Sequence, residues 1–161
     1  MREYPTAKVF IIYDTKYGNT KLVAEQIAEG LREVEGIETN IGYVKEIDYK
    51  KLVDYDALVI GAPNHMGKPS RTIAKFIGSL TKIDLNTKWI AVFDTYYAKK
   101  RNFEKAMKKM EKTVGEKLPN LKLITPGLSV MVEGVNGPIA DGELPKCKDF
   151  GKRIANQIKQ K

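Results

Sequence analysis

Six consecutive residues near the start of the chain have the types and order of a phosphate-binding loop. They are Thr15, Lys16, Tyr17, Gly18, Asn19 and Thr20. Threonine hydroxyls at both ends can donate hydrogen bonds, and Gly18 lets the backbone approach a ligand closely. The apolar residues that follow have helical spacing, so the segment falls at a helix N-terminus, where unpaired N–H groups and the helix dipole favour an anion. The alternative is an ordinary turn between a strand and a helix, with Thr20 as the helix N-cap.

Two further segments carry groups that suit a flat aromatic ligand. One follows an apolar run and contains Asp94, Thr95, Tyr96 and Tyr97. A tyrosine there can stack on a ring while its hydroxyl stays in water. The other segment offers an amide, an imidazole, a thioether and a flexible backbone, in the residues Pro63, Asn64, His65, Met66 and Gly67. A phosphate site beside a site for a planar ring indicates flavin mononucleotide (FMN). The alternative is that the tyrosines are surface residues and that residues 63–67 are only a turn.

Each of these segments follows a predicted β-strand. Apolar runs predict strands at residues 9–13, 39–44, 55–60, 89–93 and 121–132, the last interrupted at Pro126 and Gly127. Helices are predicted after Thr20, at residues 47–53, after the N-cap Ser70, at residues 99–117 and at residues 144–159, with residues 61–70 as a loop. The alternation predicts an α/β three-layer sandwich: a five-stranded parallel sheet with helices on both faces. Ligands bind such sheets at the carboxyl ends of the strands where the strand order reverses, so the three segments are expected to converge.

The size and composition predict one folded unit over residues 1–161. The single cysteine, Cys147, falls on the apolar side of the last helix and is expected to be a buried, inert thiol. Residues 1–6 lack the apolar core of a signal peptide, and no window approaches eighteen consecutive apolar residues. We therefore expect a cytoplasmic protein that does not cross a membrane.

The net charge of +8 is concentrated in the predicted helix over residues 99–117. Its basic residues are Lys99, Lys100, Arg101, Lys105, Lys108, Lys109, Lys112 and Lys117, against Glu104, Glu111 and Glu116. One interpretation is a solvated lysine and glutamate surface of the kind enriched in thermophilic proteins. The other is a docking patch for an acidic partner.

With these residues, the chain resembles the flavodoxin family over essentially its whole length, as a short-chain and unusually basic member. The resemblance implies that residues 15–20 bind the phosphate of FMN. It implies that Met66 and Gly67 form the peptide that can flip on reduction, and that Tyr96 or Tyr97 stacks on the outer face of the flavin. The chain departs from the family in being basic, in having Lys68 where acidic residues are common, and in lacking glycines after the fourth strand.

The resemblance further implies an electron carrier that exchanges electrons with redox partner proteins, rather than an enzyme with its own substrate. The basic helix over residues 99–117 is a candidate docking surface for such partners. An FMN-dependent NAD(P)H:quinone oxidoreductase is the main alternative, with Lys68, Arg71 and Lys99 available for a nicotinamide phosphate. A basic nucleic-acid-binding module without flavin is a weaker alternative. The chain has no Walker sequence, no G-x-G-x-x-G and no spaced Cys/His set, so neither triphosphate nor metal chemistry is predicted.

Overall fold

The computed structural model describes residues 7–97 and 105–160, and every structural statement below refers to that part of the chain. Seven strands form one sheet: β1 (Ala7–Tyr13), β2 (Ile37–Tyr43), β3 (Ala57–His65), β4 (Lys68–Pro69), β5 (Trp89–Tyr97), β6 (Lys122–Leu123) and β7 (Leu128–Val132). The α-helices are α1 (Asn19–Arg32), α2 (Tyr49–Leu52), α3 (Arg71–Leu80), α4 (Lys105–Lys117) and α5 (Glu143–Gln160). Residues 98–104, which include the predicted start of the basic helix, lie outside the described residues.

The sheet has five parallel rows in the order β2-β1-β3-β5-β6, and β7 continues the fifth row by pairing with the second half of β5. The predicted fifth strand is therefore confirmed, including its interruption. Pro126 has no N–H to give to the ladder, and the N–H of Gly127 donates instead to Glu111 Oε2 at 2.8 Å. The chain leaves β1 toward β2 on one side and reaches β3 on the other, so the strand order reverses between β1 and β3.

Helices cover both faces of the sheet, as the sequence predicts. Ile11 and Ile12 point to opposite faces of β1, and both are fully buried. Ile11 belongs to a core shared with α1 and α5, whereas Ile12 belongs to a second core shared with α3 and α4. Because β1 is buried on both faces, its sequence is a continuous apolar run rather than an alternating one.

Residues 61–70 were predicted to form a loop, and this prediction is wrong. Strand β3 continues to His65, and β4 returns antiparallel to it, with His65 opposite Lys68. The continuation is stabilised by β5, because Ala62 and Pro63 remain in register with its last residues. A Cβ on Gly61 would lie 2.0 Å from Phe93 Cζ, so the glycine is needed for packing inside the sheet and does not mark its end.

The remaining differences are small. The predicted helix over residues 47–53 is a 3-10 turn at Val44–Glu46 followed by the single turn α2, which Asp48 caps by accepting a hydrogen bond from the N–H of Lys50 at 3.0 Å. Strand β5 extends to Tyr97 instead of ending at Phe93. Ser70 caps α3 as predicted, since its Oγ accepts from the N–H of Ile73 at 3.4 Å.

Candidate functional site

A cavity of about 710 Å³ opens at the carboxyl ends of the strands, beside the reversal point between β1 and β3. Its volume lies within the usual range for sites that hold a small molecule or cofactor. The lining residues are Thr15, Lys16, Tyr17, Asn19, Thr20, Pro63, Asn64, His65, Met66, Thr95, Tyr96, Tyr97, Val132 and Val135. The structure thus brings together the three segments singled out in the sequence, and twelve of the fifteen predicted site residues line one cavity. Gly18, Gly67 and Asp94 do not line it.

The loop between β1 and α1 leaves the start of the helix without a side-chain cap. The N-cap is Gly18, at φ 91°, and not Thr20, so the interpretation of Thr20 as N-cap is wrong. Thr15 Oγ1 accepts a hydrogen bond from the N–H of Gly18 at 2.9 Å and fixes the loop, while the first i to i−4 bond of the helix runs from Leu22 to Gly18. Within the described residues no side chain accepts from the N–H groups of Asn19, Thr20 or Lys21, so these groups remain available to an anion.

Thr20 and Thr95 connect the phosphate-type loop to the neighbouring strand. Their hydroxyl oxygens are 2.9 Å apart, and both residues are buried, at 1% and 6% exposure. Each hydroxyl carries one proton, so one of the two groups is the donor and the other is the acceptor in this bond. The proton of the accepting hydroxyl is not used in the bond and can point elsewhere. Since both residues line the cavity, the free proton is available to a ligand.

The hairpin of β3 and β4 forms the second wall. Asn64 Oδ1 accepts from the N–H of Gly67 at 2.8 Å and closes the turn. The two turn residues, Met66 and Gly67, both have positive φ, at 53° and 85°, a conformation that is uncommon for a residue other than glycine. Met66 is 90% exposed at the cavity mouth, His65 beside it is exposed, and Gly67 is buried behind them.

The end of β5 supplies the third wall through Thr95, Tyr96 and Tyr97. Successive residues of a strand point to opposite faces, so the two tyrosines leave the strand on opposite sides, and each is half-buried. Asp94 serves α4 instead of the cavity: it is fully buried, and its Oδ2 accepts from the N–H of Met107 at 2.9 Å. The carboxylate therefore caps the first turn of α4 from a distant strand.

A fourth wall was not predicted. The segment that follows β7 contributes Val135, and the last residue of β7, Val132, also lines the cavity. This segment is tied to the first loop, because Asn19 Nδ2 donates to the carbonyl of Asn136 at 3.1 Å. It is tied to the sheet by Glu143 Oε1, which accepts from the N–H of Met131 at 2.7 Å. Its place directly after a strand's carboxyl end is the sequence signal that identifies it.

The charge of the cavity favours an anionic ligand. No carboxylate is present among the fourteen lining residues, which include Lys16 and His65. In the described ranges no cluster of three or more His, Cys, Asp or Glu residues could hold a metal, and no helix there is long and apolar enough to cross a membrane.

The fold is that of an α/β protein with a parallel sheet, and its cavity lies at the point where the strand order reverses. The family model described as a flavodoxin domain matches residues 10–130, and the chain therefore belongs to this family. The resemblance inferred from the loop residues is thereby confirmed.

The chain is similar to two curated proteins and to a solved structure. A flavodoxin from Aquifex aeolicus (strain VF5) is 42% identical over 69 residues, which cover 43% of this chain and 37% of that protein. An uncharacterised protein from Methanocaldococcus jannaschii is 29% identical over 153 residues, covering 92% of this chain and 36% of that protein. The chain thus spans little more than a third of the length of these curated relatives. The solved structure of a flavodoxin from the domain Archaea has a TM-score of 0.80 at 22% identity and covers 94% of this chain and 99% of that one, which shows the same fold.

Proposed function

We propose that the protein binds FMN in the 710 Å³ cavity and works as an electron carrier. The observation that carries the proposal is the uncapped start of α1, which opens with two threonine hydroxyls into the cavity. No carboxylate of the described residues lines this cavity, and Tyr96 and Tyr97 border it. The arrangement suits a phosphate ester joined to a planar ring. When bound, FMN supplies reversible electron transfer, and the protein supplies position and electrostatics.

The residues fall into two groups by the part of FMN that they would hold. The N–H groups at the start of α1, with the hydroxyls of Thr15 and Thr20, would hold the phosphate. Tyr96 or Tyr97 would stack on the ring, and the hairpin tip at Met66 would flank it. Gly18 and Gly67 would act by shaping the loop backbones, and Asp94 by fixing α4 against β5.

Electrons would pass to and from redox partner proteins at the cavity mouth. We propose that the basic helix takes part in docking, because Lys108, Lys109, Lys112 and Lys117 of α4 are all exposed. We also propose that residues 1–161 fold as one unit and that the protein is cytoplasmic; a free, buried Cys147 fits a reducing compartment.

The first test is the absorbance spectrum of the purified protein, followed by measured affinities for FMN and for riboflavin, which lacks the phosphate. Each hydroxyl that bonds to a phosphate contributes about 1.5–3 kcal/mol, so the double variant Thr15→Val/Thr20→Val should bind FMN at least tenfold more weakly. Riboflavin affinity should change much less. Thr113→Val on α4, which does not line the cavity, is the matched control and should leave both affinities unchanged.

Two outcomes would overturn the proposal. An FMN affinity that is untouched by the double variant would remove the phosphate site. Rapid oxidation of NAD(P)H with a quinone acceptor would identify an FMN-dependent reductase rather than a carrier.

A further inference from the structure

The two helical layers of the protein differ in how their positive charges are used. On α5, every lysine and arginine with a described side chain has a partner. Lys148 and Lys152 pair with Glu33 at 2.9 and 3.1 Å, and Lys146 pairs with Glu143 at 2.8 Å. The two remaining cations, Arg153 and Lys159, donate to backbone carbonyls. Three of the five cations on α5 are thus paired with carboxylates, and the other two are held by backbone carbonyls.

The opposite layer, formed by β4, α3 and α4, is not neutralised. Its exposed cations are Lys68, Arg71, Lys75, Lys108, Lys109, Lys112 and Lys117. None of them forms an ion pair with another described residue, and α3 contains no acidic residue. Of the two acidic residues on α4, Glu111 is half-buried and accepts from the N–H of Gly127 at 2.8 Å. Unpaired charges of one sign raise the potential over a surface and attract opposite charge.

This positive layer adjoins the cavity mouth. Lys68 belongs to the hairpin whose tip lines the cavity, and α3 begins directly after that hairpin. The hydrogen bond from the N–H of Met107 to Asp94 holds the first turn of α4 against β5. Asp94 directly precedes Thr95, which lines the cavity. Lys108 and Lys109 therefore lie on the end of α4 that is nearest the mouth.

The cavity mouth carries three exposed apolar side chains. Tyr17, Met66 and Val135 come from three different loops, all line the cavity, and are 49%, 90% and 58% exposed. They are three of the five large hydrophobic residues that are exposed in the described ranges. Clustered exposed hydrophobic residues mark an interaction surface.

We infer that the redox partner is an acidic protein, whose apolar contact covers Tyr17, Met66 and Val135 while its carboxylates face the layer of β4, α3 and α4. This inference rests on the proposed function and adds the chemistry and orientation of the partner. A protein fits better than a nucleic acid, because nucleic-acid interfaces are polar and offer little to three exposed hydrophobic side chains. Steering by the unpaired lysines accelerates encounter by about 10- to 1,000-fold at low salt.

The experiment compares two charge reversals of equal size. One variant carries Lys108→Glu, Lys109→Glu and Lys112→Glu on α4, and the control carries Lys148→Glu, Lys152→Glu and Lys159→Glu on α5. The probe is a reduced plant-type [2Fe–2S] ferredoxin, an acidic protein, which gives one electron to the FMN-loaded protein in a stopped-flow mixing experiment. The second-order rate constant is measured at about 20 mM and about 0.5 M salt.

The α4 variant should react at least tenfold more slowly than the wild type at low salt, and the α5 variant less than threefold more slowly. At high salt, where charges more than about 4 Å apart are screened, the difference should disappear. When the FMN-loaded protein is first reduced with dithionite and then mixed with oxidised cytochrome c, a basic acceptor, the α4 variant should react faster than the wild type.

Equal effects of the two variants, or no effect of either, would overturn the inference, because only the net charge or nothing electrostatic would then matter. Salt-sensitive binding of a single-stranded RNA 20-mer that only the α4 variant loses, with an unchanged ferredoxin rate, would also overturn it and assign the layer to nucleic acid. The flavin spectrum of each variant is recorded first. If the wild-type protein shows no flavin spectrum, the proposed function is refuted. If the variants hold flavin and their rates are unchanged, only the inference of an acidic partner is refuted.

Discussion

The hydrogen bond between Thr20 and Thr95 offers a quantitative test of how the cavity is built. Each threonine can be replaced by valine, which has the same shape and therefore opens no void. The single variant Thr20→Val removes one hydrogen bond, at about 1 kcal/mol, and leaves the Thr95 hydroxyl without its partner. An orphaned buried hydroxyl costs about 1–3 kcal/mol, but Thr95 lines the cavity, where water can reach it in the flavin-free protein. We therefore expect a total loss of about 1–2 kcal/mol.

The double variant Thr20→Val/Thr95→Val distinguishes a real pair from two independent sites. With both hydroxyls gone, no polar group is orphaned, and replacing both partners by apolar groups of the same shape is nearly neutral. The double variant should therefore lose less stability than the sum of the two single variants, by about 1 kcal/mol or more. The assay is urea unfolding of the four flavin-free proteins in a double-mutant cycle.

Ligand affinity gives the same pair a second readout. Thr20→Val should weaken FMN binding more than riboflavin binding, because the hydroxyl of Thr20 would contact the phosphate. Thr95→Ser keeps the hydroxyl and should bind both ligands like the wild type, while the loss of its buried methyl group lowers the free energy of unfolding by about 1 kcal/mol. Stability losses that add within about 0.3 kcal/mol would refute the reasoning, since additive sites are not coupled.

Three further changes test other parts of the structure. Gly30→Ala should lower the free energy of unfolding by about 1–3 kcal/mol, because its Cβ would lie 2.0 Å from the carbonyl oxygen of Lys148. The control is Gly78→Ala, whose Cβ meets nothing within 4 Å and which should raise the free energy of unfolding by up to about 1 kcal/mol. Equal shifts of the two variants in thermal unfolding would contradict this expectation. Burial raises the pKa of the Cys147 thiol from 9.0 to about 12. Between these two values the folded protein keeps a proton that the unfolded chain releases, so the free energy of unfolding falls as the pH rises through this window. Urea unfolding of the wild type and Cys147→Ala at about pH 8 and about pH 10.5 should show a smaller difference at the higher pH, and a constant difference would refute the shift. Lys68→Glu should lower the reduction potential of the bound flavin by about 50–100 mV in an anaerobic titration, because an exposed cation near the cavity is replaced by an anion; an unchanged or raised potential would exclude this role.

Local chemistry determined much of this protein. The apolar run of β1 on its own predicts a strand buried on both faces, and the switch to helical spacing after Gly18 predicts where the ligand loop falls. Capping by Ser70 could likewise be predicted, because a cap depends on a hydroxyl and an N–H group three residues apart. Since ligands of a parallel sheet gather at its carboxyl edge, these local features also predicted which segments would meet.

Only the tertiary structure decided where several residues act, because their partners are distant in the chain. The position of Asp94 in the sequence predicts a contact with the ligand, yet its carboxylate accepts a hydrogen bond from the N–H of Met107 on α4. Gly61 and Pro63 resemble the start of a loop, but the register with β5 extends β3 through them. The wall formed by Val135 depends on a bond between Asn19 and Asn136, which are 117 residues apart. The spacing of apolar residues and the positions of glycines reflect local conformational preferences of the backbone. The ends of strands and the walls of a cavity depend instead on contacts with residues that are distant in the sequence, and only the folded structure shows those contacts.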